Sequence, residues 1–163
     1  MDAMDRYLLR LIRRIHSHGW VVVGVFPDPQ APLSQVPFQY TVGLSPKAGF
    51  EIIIIGLSPE TGASVLNDLA ARVVRGARFT NGQVLTDVLA DDYTVTMLEV
   101  ADASDWTRFA DQLYRRDDRP LPVWQVVYPD LGHRMPGDPG YTSTSQPLLA
   151  PPPRPGHPGI DTD

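Results

Sequence analysis

Four successive isoleucines, Ile52-Ile53-Ile54-Ile55, stand directly behind Glu51 and ahead of Gly56-Leu57. β-Branched side chains are stiff at χ1 and suit a pleated strand better than a helix. The run is short enough to be a strand, and being apolar at every position it must be covered on both faces. Residues 51–57 are therefore expected at the centre of a sheet.

The flanking segments supply its neighbours. Residues 38–44 alternate Phe38, Tyr40, Val42 and Leu44 with Gln39, Thr41 and Gly43, the period of a strand with one buried side. Residues 20–26 read as an earlier strand interrupted by Gly24, a position suited to a bulge or a close backbone approach. Pro27-Asp28-Pro29-Gln30-Ala31-Pro32 lacks three ladder donors and reads as an exposed loop between these strands. Ser45-Pro46-Lys47-Ala48-Gly49 reads as a turn. Connections this short favour antiparallel pairing, because a parallel crossover takes a dozen or more residues.

Helices are signalled at both ends of this group. Leu8, Leu11, Ile12 and Ile15 recur at helical spacing over residues 5–18, with Asp2 or Asp5 as cap and Gly19 as stop. Ser58-Pro59-Glu60 combines a cap, a proline at the first helical position and an acid at the positive end of the dipole. Its buried stripe is Val65, Leu66, Leu69, Ala70, Val73 and Val74, and Gly76 ends it. Asn81-Gly82 predicts a hairpin between residues 77–80 and 83–86. Residues 93–100 read as a strand, 105–114 as a helix and 123–128 as the last strand, closed by Pro129. The fold expected is α+β, with a mostly antiparallel, twisted or barrel-like sheet and about three packed helices in one domain over residues 1–149. Residues 150–163, rich in proline, read as a disordered tail with polyproline character.

Composition removes several function classes. The 163-residue chain has no cysteine, so disulfides, thiolate metal sites and cysteine nucleophiles are excluded, and a reducing cytoplasm suits it. No stretch approaches the roughly 20 apolar residues of a membrane span. A net charge of −5 gives no general attraction for nucleic acid. Arg6, Arg10, Arg13 and Arg14 on the first helix read as a solvated face rather than a basic patch.

His18-Gly19-Trp20, Tyr40-Thr41-Val42-Gly43-Leu44, Glu51, Gln125, Pro129-Asp130, Gly132 and Gln146-Pro147-Leu148-Leu149 together resemble an uncharacterised bacterial family, domain of unknown function 4262, from about Ile15 to Leu149. Two departures stand out. The resemblance implies His-Pro-Glu where this chain has Gly49-Phe50-Glu51, and Pro-Trp-Asp where it has Pro136-Gly137-Asp138. The resemblance implies no activity, cofactor or catalytic residue.

The candidate acid–base residues are Glu51, Asp130 and His133. Glu51 stands at the mouth of the most apolar segment. Buried, it would titrate near neutrality, but the first residue of a strand usually reaches water, and an exposed carboxylate is the expectation. Asp130, between Pro129 and Leu131-Gly132, suits a turn in which Asp bonds its own backbone. Tyr40, Thr41, Gln125 and Tyr128 are the ligand-binding candidates. The expected site lies where residues 38–44 and 123–128 approach, although Tyr40 and Thr41 point to opposite faces of their strand. Tyr40 reads as a core aromatic. His16 and His18 do not share a helical face, and His157 lies in the tail, so no metal site is predicted. A Ser-centred nucleophile elbow and a glycine-rich phosphate loop are both missing.

The reading that fits is a binding or accessory module with a loop-lined pocket for a small molecule or protein. A small hydrolytic enzyme using carboxylate or His chemistry is the alternative. Flavin or nucleotide binding is a third, argued from element order alone.

Overall fold

The structure, a computed structural model of the chain, describes residues 1–28, 30, 36–142 and 146–151. Part of the predicted loop at 27–32, the tail from residue 152 onward and His157 lie outside the described residues.

Ile52 and Ile54 turn their side chains to one face of the sheet and Ile53 and Ile55 to the other, and all four are 0–1% exposed. This strand, β3 (Glu51–Ile55), is preceded by β1 (Val21–Val25) and β2 (Phe38–Val42) and followed by β4 (Gln83–Leu85), β5 (Val95–Val100) and β6 (Val123–Val127). They form one open, six-stranded sheet in the order β1-β2-β3-β6-β5-β4. The isoleucine strand and β6 are therefore the two central strands. β1–β2, β2–β3, β4–β5 and β5–β6 are antiparallel. β3 and β6 are parallel, with Glu51 opposite Val123 and Ile53 opposite Gln125. The chain between them supplies the long crossover that such a pair needs. The sheet is mixed and does not close into a barrel.

Helices cover both faces. α1 (Ala3–His18) starts in a capping box, in which the Asp5 N–H donates to Asp2 Oδ1 at 2.8 Å and the Asp2 N–H to Asp5 Oδ2 at 3.3 Å. It ends at Gly19, with φ +94°. α2 (Ser45–Ala48) is a single turn where the sequence predicts a plain turn. α3 (Pro59–Val74) begins at the predicted Ser58 cap, and its Val65, Leu66, Leu69, Ala70 and Val73 pack on Ile52 and Ile54. α1 and α4 (Arg108–Tyr114) lie on the opposite face, where Leu11 and Ala110 meet Val23, Tyr40, Ile53 and Ile55. Each buried isoleucine contributes about 1.5–3 kcal/mol by transfer from water. No helix among the described residues is long and apolar enough to cross a membrane.

Two local expectations need correction. The Asn81-Gly82 turn forms, with Gly82 at φ +84° and the Gln83 N–H on the Thr80 carbonyl at 3.0 Å. Residues 77–80 are not a strand, however. The Gly82 N–H goes to the Met97 carbonyl and Asn81 Oδ1 accepts from the Glu99 N–H. The segment after the turn is thus zipped onto β5, while Phe79 packs with Phe50 and Trp124 at 5.8 and 5.9 Å between ring centroids. Likewise β2 is buried on both sides, with Gln39 4% and Thr41 0% exposed. Gln39 faces α3 where Gly62 leaves space for it: a Cβ at Gly62 would fall 2.8 Å from Gln39 Cδ. The Gln39 amide donates to the Pro59 carbonyl at 3.0 Å.

Candidate functional site

The β2–β3 ladder stops at Tyr40 opposite Ile53. Beyond it the Thr41 hydroxyl takes the place of a backbone acceptor, receiving the Ile52 N–H at 2.9 Å and donating to Glu51 Oε1 at 2.9 Å. The chain then turns at Gly43, φ +125°, so that the N–H groups of Gly43, Leu44 and Ser45 all face the Glu51 carboxylate, at 3.3, 3.1 and 2.8 Å. The Ser45 hydroxyl adds a fifth donor at 2.5 Å. Glu51 is 0% exposed, which corrects the expected solvated carboxylate. Burial pushes its pKa up to about 6, and the hydrogen bonds from Ser45, Thr41 and Leu44 restrain the rise. The carboxylate closes a turn whose donors would otherwise be buried without partners.

Tyr40 lies on the other side of β2, as the alternation requires. It is 1% exposed, its hydroxyl accepts the Phe109 N–H at 3.1 Å, and burial drives its pKa up to about 12. The phenol is therefore protonated near neutral pH, and its own proton has no acceptor among the described residues. It forms part of the lining of a cavity of about 790 Å³ between β2, the end of β1 and the start of α4. The other rings there are Phe26, Phe38, Trp106 and Phe109. Phe38 meets Trp106 edge-on at 4.9 Å between centroids. Asp105, Arg108 and Gln112 supply polar groups, and Arg108 has no ion-pair partner among the described residues. The predicted helix at 105–114 begins at Arg108 because Trp106 and Thr107 donate to the Ala103 carbonyl in a preceding turn. That turn sends Trp106 toward Phe38.

Gln125 sits in the same row as Ile53 and Tyr40. Both ends of its amide are engaged, Nε2 donating to the Pro147 carbonyl at 2.8 Å and Oε1 accepting from the Leu149 N–H at 2.9 Å. It fastens the segment after the last strand to the sheet. Tyr128 donates its hydroxyl to the Ile55 carbonyl at 2.6 Å, and its backbone is bracketed by the Gln146 amide.

Asp130 organises the loop beyond β6. Oδ1 accepts the Gly132 and Arg134 N–H groups, both at 2.9 Å, and Oδ2 accepts from Arg134 Nε and from the Thr142 N–H and hydroxyl. The Arg134 N–H leads in holding its pKa down at about 2, with Thr142, Gly132 and the Arg134 charge adding to it. His133, at φ +62°, is exposed and stacks on Tyr93 with ring centroids 3.9 Å apart.

The predicted residues thus do not converge. Glu51 is opposite the first residue of β6, whereas Asp130 and His133 follow its last, at the other end of a strand about 13 Å long. Thr41 joins Glu51, Tyr40 faces the aromatic cavity, and Gln125 and Tyr128 are held by the backbone. The three acid–base candidates share no pocket. Among the described residues no group of three or more His, Cys, Asp or Glu side chains is placed to hold a metal ion. The aromatic cavity escapes a reading of the sequence because the helix expected over residues 105–114 accounts for Trp106 and Phe109 as its apolar side. Five rings from three separate segments, more than one helix face requires, were its only trace in the sequence.

The chain belongs to the family described as domain of unknown function (DUF4262), which matches residues 14–142. No curated protein matches the sequence. A solved structure described as a putative SUFU (suppressor of fused protein) homolog from Neisseria gonorrhoeae FA 1090 is similar over 80% of both chains, at 10% identity and a TM-score of 0.42. That likeness is too loose to carry an argument about fold or function.

Proposed function

We propose that this member of the DUF4262 family is a binding module, housed in the reducing cytoplasm that suits a cysteine-free chain, and that its ligand is a flat aromatic small molecule bearing a hydrogen-bond acceptor. The observation that carries this reading is the Tyr40 hydroxyl, a buried donor with no acceptor of its own among the described residues, at an aromatic-lined cavity. A volume of about 790 Å³ falls within the range of small-molecule sites, and so does the lining of apolar and aromatic groups around a few polar ones. Phe38, Trp106 and Phe109 would stack against the ligand, Tyr40 would donate to its acceptor, and Arg108 would favour a carboxylate. The hydrolytic alternative has less support, because Glu51 and Asp130 spend their oxygens on structural donors.

The test uses 2-naphthoate and riboflavin as probes, read by tryptophan fluorescence and by the shift in melting temperature. Saturable quenching is expected with at least one of them. Tyr40→Phe weakens that binding by about 3- to 10-fold, the value of one neutral hydrogen bond, and Trp106→Ala weakens it by roughly tenfold or more. Affinity that ignores both substitutions, or no saturable binding of either probe, contradicts the proposal.

A further inference from the structure

A second concavity, of about 580 Å³, lies between α2 and the segment that follows α4. Its walls include Arg115, Arg116, Arg119, Tyr114 and Asp117. Arg115 is spoken for: it pairs with Asp111 at 3.2 Å and donates to the Asp118 carbonyl. Arg116 and Arg119 have no hydrogen-bond or ion-pair partner among the described residues, unlike Arg72 and Arg134, which each bind a carboxylate. The Tyr114 hydroxyl is equally without a partner, and burial, with the Glu51 charge behind it, keeps it protonated. Gly49 lines the α2 side, and a Cβ there would meet nothing within 4 Å.

Arg116, Arg119 and the Tyr114 hydroxyl share one character: all are donors, and none has an acceptor among the described residues. Two guanidinium forks and a phenol around an open cleft are the complement of an oxyanion, since the planar fork matches carboxylate and phosphate geometry. Asp117 is the one acidic group on the wall. With Arg115 neutralised by Asp111, the formal charge of Arg116, Arg119 and this acid remains positive in a chain whose net charge is −5. We infer that Arg116, Arg119 and Tyr114 form a site for a small molecule bearing a phosphate or carboxylate group, separate from the aromatic cavity and independent of its function.

Pyrophosphate and citrate, titrated by calorimetry at low salt, separate the two sources of that chemistry. Binding of either or both is expected, weakening as salt rises. Combined Arg116→Gln and Arg119→Gln substitutions cut the affinity by roughly tenfold or more, with the melting temperature unchanged because both side chains are exposed. Asp117→Asn tightens binding by removing a like charge, whereas Arg75→Gln, at the end of α3, leaves it unchanged. If neither anion binds, or if the double variant binds them as well as the wild type, the inference fails.

Discussion

Glu51→Ala lowers the stability of the domain by about 3–5 kcal/mol, a large share of the roughly 5–15 kcal/mol that holds a domain of this size together. The carboxylate accepts from Thr41, Gly43, Leu44 and twice from Ser45. Alanine leaves these donors buried without an acceptor, at about 1–3 kcal/mol for each that water cannot reach. Glu51→Gln also destabilises, since an amide offers one acceptor oxygen and turns its NH2 toward other donors. The two proteins differ in pH dependence. Burial raises the folded pKa to about 6 from an ordinary 4.5, so the folded state holds the proton more tightly than the unfolded chain. The stabilisation is fully present below pH 4.5 and is lost as pH rises through 6, an amount of about 2 kcal/mol. Urea unfolding at intervals from pH 4.5 to 7 therefore shows the gap between wild type and Glu51→Gln narrowing by about that much. A gap that widens with pH would mean that the hydrogen bonds outweigh burial.

The second large effect is Gly43→Ala, which costs about 3 kcal/mol or more. At φ +125° the residue occupies backbone space that a side chain rarely tolerates. A Cβ would fall 2.7 Å from the Gly19 carbonyl oxygen and 2.9 Å from the Trp20 Cα. Both are backbone atoms at the corner between α1 and β1, and they cannot swing aside as a side chain can. Moving the Gly43 backbone instead withdraws its N–H from Glu51. Gly49→Ala separates strain from collision, because Gly49 has φ +84° but open space around its missing Cβ. It costs about 1–2 kcal/mol, and equal costs at the two positions would show that no close approach exists at Gly43.

The sequence discloses what is local and hides what is assembled. Ile52-Ile53-Ile54-Ile55 announces a strand buried on both faces, and Ser58-Pro59-Glu60 announces α3, because each signal lies within a few residues of its effect. The parallel pairing of β3 with β6 has no such signature: Glu51 meets Val123 across about half of the domain's length. Glu51 itself misleads. Its own neighbours suggest an exposed strand end, and the groups that make its burial tolerable come from the turn at 43–45, visible only once Thr41 and Gly43 have been folded over it. The hairpin expected around Asn81-Gly82 fails for the reverse reason. The turn chemistry is right, but β5 offers Gln83, Val84 and Leu85 a better-placed partner than residues 77–80 do. The aromatic cavity joins Phe38 to Trp106 and Tyr40 to Phe109, contacts that no spacing rule connects.

The proposed role rests on the aromatic cavity being a ligand site, and nuclear Overhauser contacts in the protein saturated with 2-naphthoate or riboflavin test that most directly. Cross-peaks from the probe to the ring protons of Phe38, Trp106 and Phe109, absent in Trp106→Ala, are the predicted result. A probe that binds saturably but gives its contacts elsewhere on the domain, with those three rings silent, would contradict it.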